Sequence, residues 1–176
     1  ANVSGAAGSA ITSGGTLNLG NAASSTGFAT DGTLTANSGH VVTLNDSDLA
    51  LLGSSTVVNG TLVAANGLSM SSGDTVSGGG TITADLSTNS GSIKPGNSPG
   101  ILSVTGALDL ADGTYELEID GTTAGTGVGF HDQIEVTGTV NLGSNAGGDE
   151  VTFTIVDLGI AVSDGDEFLI LDNDAA

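Results

Sequence analysis

Five tripeptides decide the fold: Gly15-Thr16-Leu17, Gly32-Thr33-Leu34, Gly60-Thr61-Leu62, Gly80-Thr81-Ile82 and Gly100-Ile101-Leu102, spaced 17, 28, 20 and 20 residues apart. A recurrence near 20 residues marks one short coil that cannot bury its own apolar side chains and must stack on its neighbours. Around the tripeptides, segments such as Thr56-Val57-Val58 and Gly60-Thr61-Leu62-Val63 alternate polar and apolar residues, the period of a strand with one buried face. No window carries a helical stripe with a cap and a glycine stop. The pattern predicts an all-β solenoid of parallel strands. At about 20 residues per rung it holds about eight or nine rungs, a rod of about 40 Å at the usual strand spacing. The glycine opening each tripeptide fits a corner that needs a positive φ or close backbone approach. The 28-residue step from Gly32 to Gly60 is expected to hold an extra strand or a loop bearing His40 and Asp46.

Residues 1–90 read as irregular repeats and residues 91–176 as more regular ones, continuous with the first part. In the second part Leu102, Val104, Leu108, Leu110, Leu117 and Ile119 alternate through three strands. Alternation resumes at Ile134, Val136, Val140 and Leu142, and again at Val151, Phe153 and Ile155. A last strand is expected from Glu167 to Leu171, nearly all apolar.

Composition narrows the partners. The 176 residues carry 20 acidic side chains against one base, Lys94, for a formal net charge of -19. Such a surface repels phosphate backbones and anionic lipid, so neither nucleic acid nor an acidic membrane is an expected partner. Without cysteine, neither disulfides nor thiolate metal sites hold the fold. No stretch approaches the about 20 apolar residues of a membrane helix, so this chain is not expected to insert into a membrane. No secretion signal is visible either, and both ends fall in repeat-like sequence, as in a processed product or a fragment. Thirty glycines with a mean hydropathy of +0.23 fit an ordered chain rather than a disordered linker.

Chemistry is sparse. His40 and His131, the two histidines, lie in different repeats, and neither has a nucleophile or orienting partner that the sequence places beside it. Without arginine and with its lysine in a turn, the chain is poorly equipped to neutralise an acidic sugar. Glu116 and Glu118 share a strand face at a spacing that suits a glycosidase pair, and a carbohydrate-active enzyme using an Asp/Glu pair is the rival class. Acidic clusters at Asp46 and Asp48, at Asp164 and Asp166, and at Asp172 and Asp174 offer oxygen ligands for calcium. Neither an EF-hand loop nor a Gly-Gly-Xaa-Gly-Xaa-Asp repeat accompanies them.

Gly91-Ser-Ile-Lys-Pro95-Gly96-Asn97-Ser98-Pro99-Gly100-Ile101-Leu102 resembles the Pro-Gly-Asn-Ser-Pro-Gly-Thr-Leu segment of bacterial autotransporter passenger repeats. The blocks Tyr115-Glu-Leu117-Glu-Ile119, His131-Asp132-Gln133-Ile134-Glu-Val136-Thr-Gly138 and Gly165-Asp166-Glu-Phe168-Leu-Ile170-Leu171 follow in the same order. The resemblance spans Gly91 to Asn173. It implies a right-handed parallel β-helix, exported and displayed at a cell surface, or part of a large adhesin. Two departures qualify it: His131 stands where the family usually carries Tyr, and no membrane barrel follows Asp172, so the chain would be a passenger piece. The expected function is a non-enzymatic extracellular stalk, adhesin segment or self-assembling filament subunit. Its expected partners are further copies stacked end to end or a longer parent chain, with surface glycans or another cell surface as targets.

Overall fold

The computed structural model describes residues 4–5, 10–19, 29–30, 32–45, 50–144, 147–160 and 162–173. Among them there is no helix, and strands recur in threes. Up to Thr114–Ile119 each set of three contributes one strand to each of three sheets, visited in fixed order; the two short strands Thr123–Ala124 and Phe130–His131 then intervene before the order resumes. The first sheet runs from Ser4–Gly5 to Val140–Asn141, the second from Ala10–Ser13 to Thr152–Asp157, and the third from Leu17–Leu19 to Leu171–Asn173. Coil stacks on coil through parallel ladders, and the one antiparallel strand pairing among the described residues joins Ile119 to His131. An all-β stack of parallel strands on this plan is compatible with a β-solenoid.

The inward side chains line up from coil to coil, which is where the alternation in the sequence acquires its meaning. On the second sheet one column reads Ile11, Leu34, Thr56, Val76, Ile93, Tyr115 and Phe153. On the third, Leu17, Val42, Leu62, Ile82, Val104 and Val136 stack in the same way. The strands Thr33–Ala36, Val41–Leu44, Ser55–Val58 and Thr61–Ala64 all alternate half-buried with buried positions. Each buried side chain is therefore covered by the equivalent residue of the next coil, which removes apolar area from water at about 25 cal/mol per Å2.

The glycine repeat has a steric cause. A Cβ on Gly80 would overlap the carbonyl oxygen of Gly60, and a Cβ on Gly60 would overlap that of Asn37. The corner glycines stack so closely that Thr81 N–H reaches the Gly60 carbonyl at 2.8 Å and Gly80 N–H reaches that of Val58 at 2.8 Å. Close approach, rather than a positive φ, is what requires glycine there.

The structure corrects three expectations about spacing. Gly32-Thr33-Leu34 opens a strand of the second sheet, whereas the other four tripeptides open strands of the third, so the steps of 17 and 28 compare different faces. The step to Gly60 holds the strand Val41–Leu44; His40 sits at its start and is half-buried, and Asp46 lies outside the described residues. Among the described residues the first and third sheets have seven strands each, which makes seven coils rather than eight or nine, a rise of about 30 Å at the strand spacing. Coils lengthen upward, because Leu62 pairs with Ile82 but Leu102 pairs with Ile134. Finally, the last strand is Leu171–Asn173, not Glu167 to Leu171.

Pairing passes without interruption from residues 75–78 to residues 92–95, across the junction between the irregular and regular repeats. The prolines sit beside a tight corner: Pro95 ends the strand Ser92–Pro95, Gly96 and Ser98 take φ of 77° and 76°, and Gly96 lies against Gly100.

Two sets of substitutions test this packing. Gly80→Ala is expected to destabilise by about 3 kcal/mol or more, because backbone must move. Gly73→Ala has a φ of 89° but open space around it, and should lose only about 1 to 2 kcal/mol. Thr56 is buried in the second-sheet column and its hydroxyl has no hydrogen-bond partner. Thr56→Val, which keeps the shape, should gain about 1 kcal/mol. Urea denaturation of the three variants reads all of these.

Candidate functional site

The densest set of buried polar side chains lies where the coils lengthen. The strand Thr114–Ile119 leads into the segment 121–129, which folds outward and returns at Phe130–His131. Ile119 pairs with His131 in antiparallel fashion, and Thr123–Ala124 pairs with Phe130–His131, so this excursion extends the second sheet beside Thr114–Ile119. In the strand that follows, His131, Asp132, Gln133 and Ile134 are all buried in succession.

Asp132 fastens two coils. One carboxylate oxygen accepts Gly100 N–H at 2.7 Å and the other accepts Glu118 N–H at 2.8 Å. The main chain repeats both links: Asp132 N–H donates to the Glu118 carbonyl at 2.9 Å and Gln133 N–H to that of Gly100 at 3.1 Å. The corner of the Pro-Gly-Asn-Ser-Pro-Gly block is thus tied to the His-Asp-Gln-Ile block by one buried carboxylate. Burial pushes the Asp132 carboxyl up to about 6; the two amide donors and nearby His131 pull the other way, and the charge of Glu118 adds to the rise.

The neighbouring side chains hold the last segment. Gln133 donates its amide to the Leu169 carbonyl at 2.8 Å, and Tyr115 donates its hydroxyl to the Ile170 carbonyl at 2.6 Å. His131 has Nδ1 at 3.1 Å from the Gly121 carbonyl and Nε2 at 3.3 Å from that of Leu169. A neutral imidazole has one N–H and donates to one of these two oxygens. The Phe168 ring packs edge-on against His131 with centroids 5.4 Å apart. Burial, assisted by the charge of Asp132, pushes the Tyr115 phenol up, so it stays a neutral donor. These bonds explain the missing strand: side chains of Tyr115, His131 and Gln133 take up carbonyls that a longer strand would have given to a ladder.

The arrangement is suited to holding backbone. Asp132 and His131 are each 1% exposed and their polar atoms face main-chain partners. Of the paired glutamates, Glu116 makes an ion pair with Lys94 at 2.9 Å, and Glu118 uses its backbone N–H on Asp132. Lys94 and Glu116 are both partly exposed, so that pair contributes at most about 1 kcal/mol.

Of the residues expected to bind calcium, Asp164, Asp166 and Asp172 are described. Asp46, Asp48 and Asp174 lie outside the described residues. Asp164 and Asp166 sit in an exposed turn, where Asp166 accepts Ser163 N–H at 2.7 Å. Asp172 is half-buried in the last strand, beside Glu135 in the register. Among the described residues, no three His, Asp or Glu side chains gather around a common point as metal ligands do. No described helix is long and apolar enough to cross a membrane. Comparison with protein-family models, with curated proteins and with solved structures returned no match.

The raised Asp132 fixes the sign of a pH effect. Its folded carboxyl titrates near 6 and an unfolded aspartate near 3.9, so its contribution is complete below about pH 4 and lost as the pH rises through about 6. Wild-type stability should fall between about pH 4 and pH 7, and Asp132→Asn, which cannot ionise, should fall less steeply. Denaturation curves across that range with equal slopes for both proteins would contradict the assignment.

Proposed function

We propose that this chain is a right-handed parallel β-helix acting as a non-enzymatic structural element outside the cell: a stalk, an adhesin segment or a filament subunit. The observation that carries the reading is how the buried polar groups are used. Asp132, His131, Gln133 and Tyr115, the side chains best placed to do chemistry, are directed at backbone amides and carbonyls and fasten one coil to another. A site built for reaction directs such groups at an open cleft instead.

Charge supports the setting. A rod with a net charge of -19 repels its own copies and stays soluble, and salt or divalent cations outside a cell would screen that repulsion. In this role calcium acts on the acidic surface as a whole. The order of blocks shared with autotransporter passengers points to the same place, a surface-displayed rod that is part of a longer chain or of an assembly and touches glycans or another cell.

The test sets the rod against a polysaccharide-cleaving enzyme. The protein, incubated with neutral and acidic polysaccharides, should release no oligosaccharide and create no new reducing or unsaturated ends, while small-angle scattering gives an elongated particle. New chain ends that vanish in Glu118→Gln would overturn the structural reading.

A further inference from the structure

The corners between the second and third sheets differ in length, and the difference opens a notch in the side of the stack. Residues 37–40 and 96–100 form long corners, whereas the two coils between them turn in two residues each, 59–60 and 79–80. Long corners thus flank short ones, and the space left has a volume of about 570 Å3. Small-molecule sites run from about 300 to 1,000 Å3. Asn37 and Ser38 line one side, Asn97 the other, and Asn59 and Gly79 lie between. Thr126 joins them from the outward excursion, where Gly127 N–H donates to the Pro99 carbonyl at 3.0 Å. Described coils continue beyond the notch in both directions along the stack.

Inside the notch two amides form a clasp. Asn97 Nδ2 donates to Asn59 Oδ1 at 2.8 Å, reaching across the coil that carries Gly79. The bond uses half of each amide; the Asn59 amino group and the Asn97 carbonyl oxygen have no protein partner among the described residues. Exchanging oxygen and nitrogen in both amides reverses the bond and leaves the same pattern, one donor beside one acceptor. Gly79 keeps the space under the clasp open, and the fold does not require it to be glycine. Its φ is outside the left-handed region, and an added Cβ would meet nothing nearer than the Ile101 carbonyl oxygen at 3.4 Å, an ordinary contact. Its neighbour Gly80, by contrast, has no room for a Cβ.

The chemistry of the lining selects the ligand. Among the described residues, no acid, base or aromatic ring lines the notch, in a chain with 20 acidic side chains. The geometry points to a binding site for a neutral saccharide, seated over Gly79 with two adjacent ring hydroxyls on the Asn59–Asn97 clasp. One hydroxyl accepts from the amino group and the next donates to the carbonyl oxygen, each displacing a water. The amide of Asn37 and the hydroxyls of Ser38 and Thr126 border the same space and suit the remaining hydroxyls. An acidic sugar would find no base there and the field of a net charge of -19 around it. With no ring to stack on, each site binds weakly, and a surface carrying many copies gains strength by multivalency. The proposal rests on the reading of the chain as a displayed rod that touches glycans, and names the place and the class of sugar.

Nuclear magnetic resonance reads the clasp directly. The protein is titrated with neutral trisaccharides of glucose, mannose and galactose, and with trigalacturonate as the acidic control. At least one neutral trisaccharide should shift the side-chain amide signals of Asn59 and Asn97 saturably, with a Kd of about 1 mM or tighter. Trigalacturonate at the same concentrations should leave them in place. Gly79→Leu, which fills the space under the clasp, and Asn97→Ala, which removes half of it, should each weaken binding at least about tenfold. Circular dichroism and a cooperative unfolding transition verify that each variant is folded; should Gly79→Leu fail that check, Asn97→Ala decides alone. The site is overturned if no neutral trisaccharide moves these signals, if trigalacturonate binds as well as they do, or if a folded variant binds like the wild type. Failure of this kind leaves the structural role intact, since that role falls on polysaccharide cleavage, and cleavage would in turn leave the notch standing.

Discussion

Every coil depends on the two beside it. A turn of three short strands has no thickness of its own, so a side chain pointing inward is covered by its counterpart one coil up and one coil down. That requirement fixes the register, because a slip of one residue would turn the inward set outward. It also fixes the corners: coils can sit at strand spacing only where the chain turns without a side chain in the way, as at Gly60 and Gly80. Where the coil lengthens after Gly100, simple repetition can no longer hold the phase. There the buried carboxylate of Asp132 takes over, gripping the amides of Gly100 and Glu118 and returning the strand at Gln133 to its place over Ile101.

Much of this was legible in the chain. Gly60 and Gly80 stand 20 residues apart because Leu62 and Ile82 pair in successive coils, whereas Leu102 falls two residues short of Val104, the partner of Ile82. Alternation identified the buried face correctly at Leu102, Val104, Leu117, Ile134 and Val136. What the tripeptide did not encode is which of three faces it opens, and Gly32 was misaligned for that reason. The coil count was too high because it assumed a constant coil, and nothing in the apolar pattern measures an outward excursion such as residues 121–129.

The last coils show a different limit. Phe168-Leu169-Ile170-Leu171 has the composition of a strand, but composition does not reveal which donors its carbonyls will meet. Tyr115, His131, Gln133 and the Ile134 amide supply those donors from distant sequence, and regular pairing begins at Leu171. Asp132 did carry a signal: it falls in phase with Ile134 and Val136, an acid at a position the alternation reserves for the interior. Its partners lie 32 and 14 residues away, so no local motif announces them. Of the acidic clusters, the described turn at Asp164 and Asp166 shows a carboxylate accepting an amide of its own backbone, at Ser163.

The stacked register carries everything else, and it can be read by cross-linking. The chain has no cysteine, so an introduced pair holds its only thiols. Thr61 and Thr81 are direct neighbours in the ladder, half-buried on the outer face, and Thr83 stands two residues further along, opposite Val63. Mild oxidation of the Thr61→Cys, Thr81→Cys protein should link the two coils within one chain in high yield, and Thr61→Cys with Thr83→Cys should link poorly. Equal yields from both pairs, or linkage from the second pair alone, would contradict the parallel in-register stack.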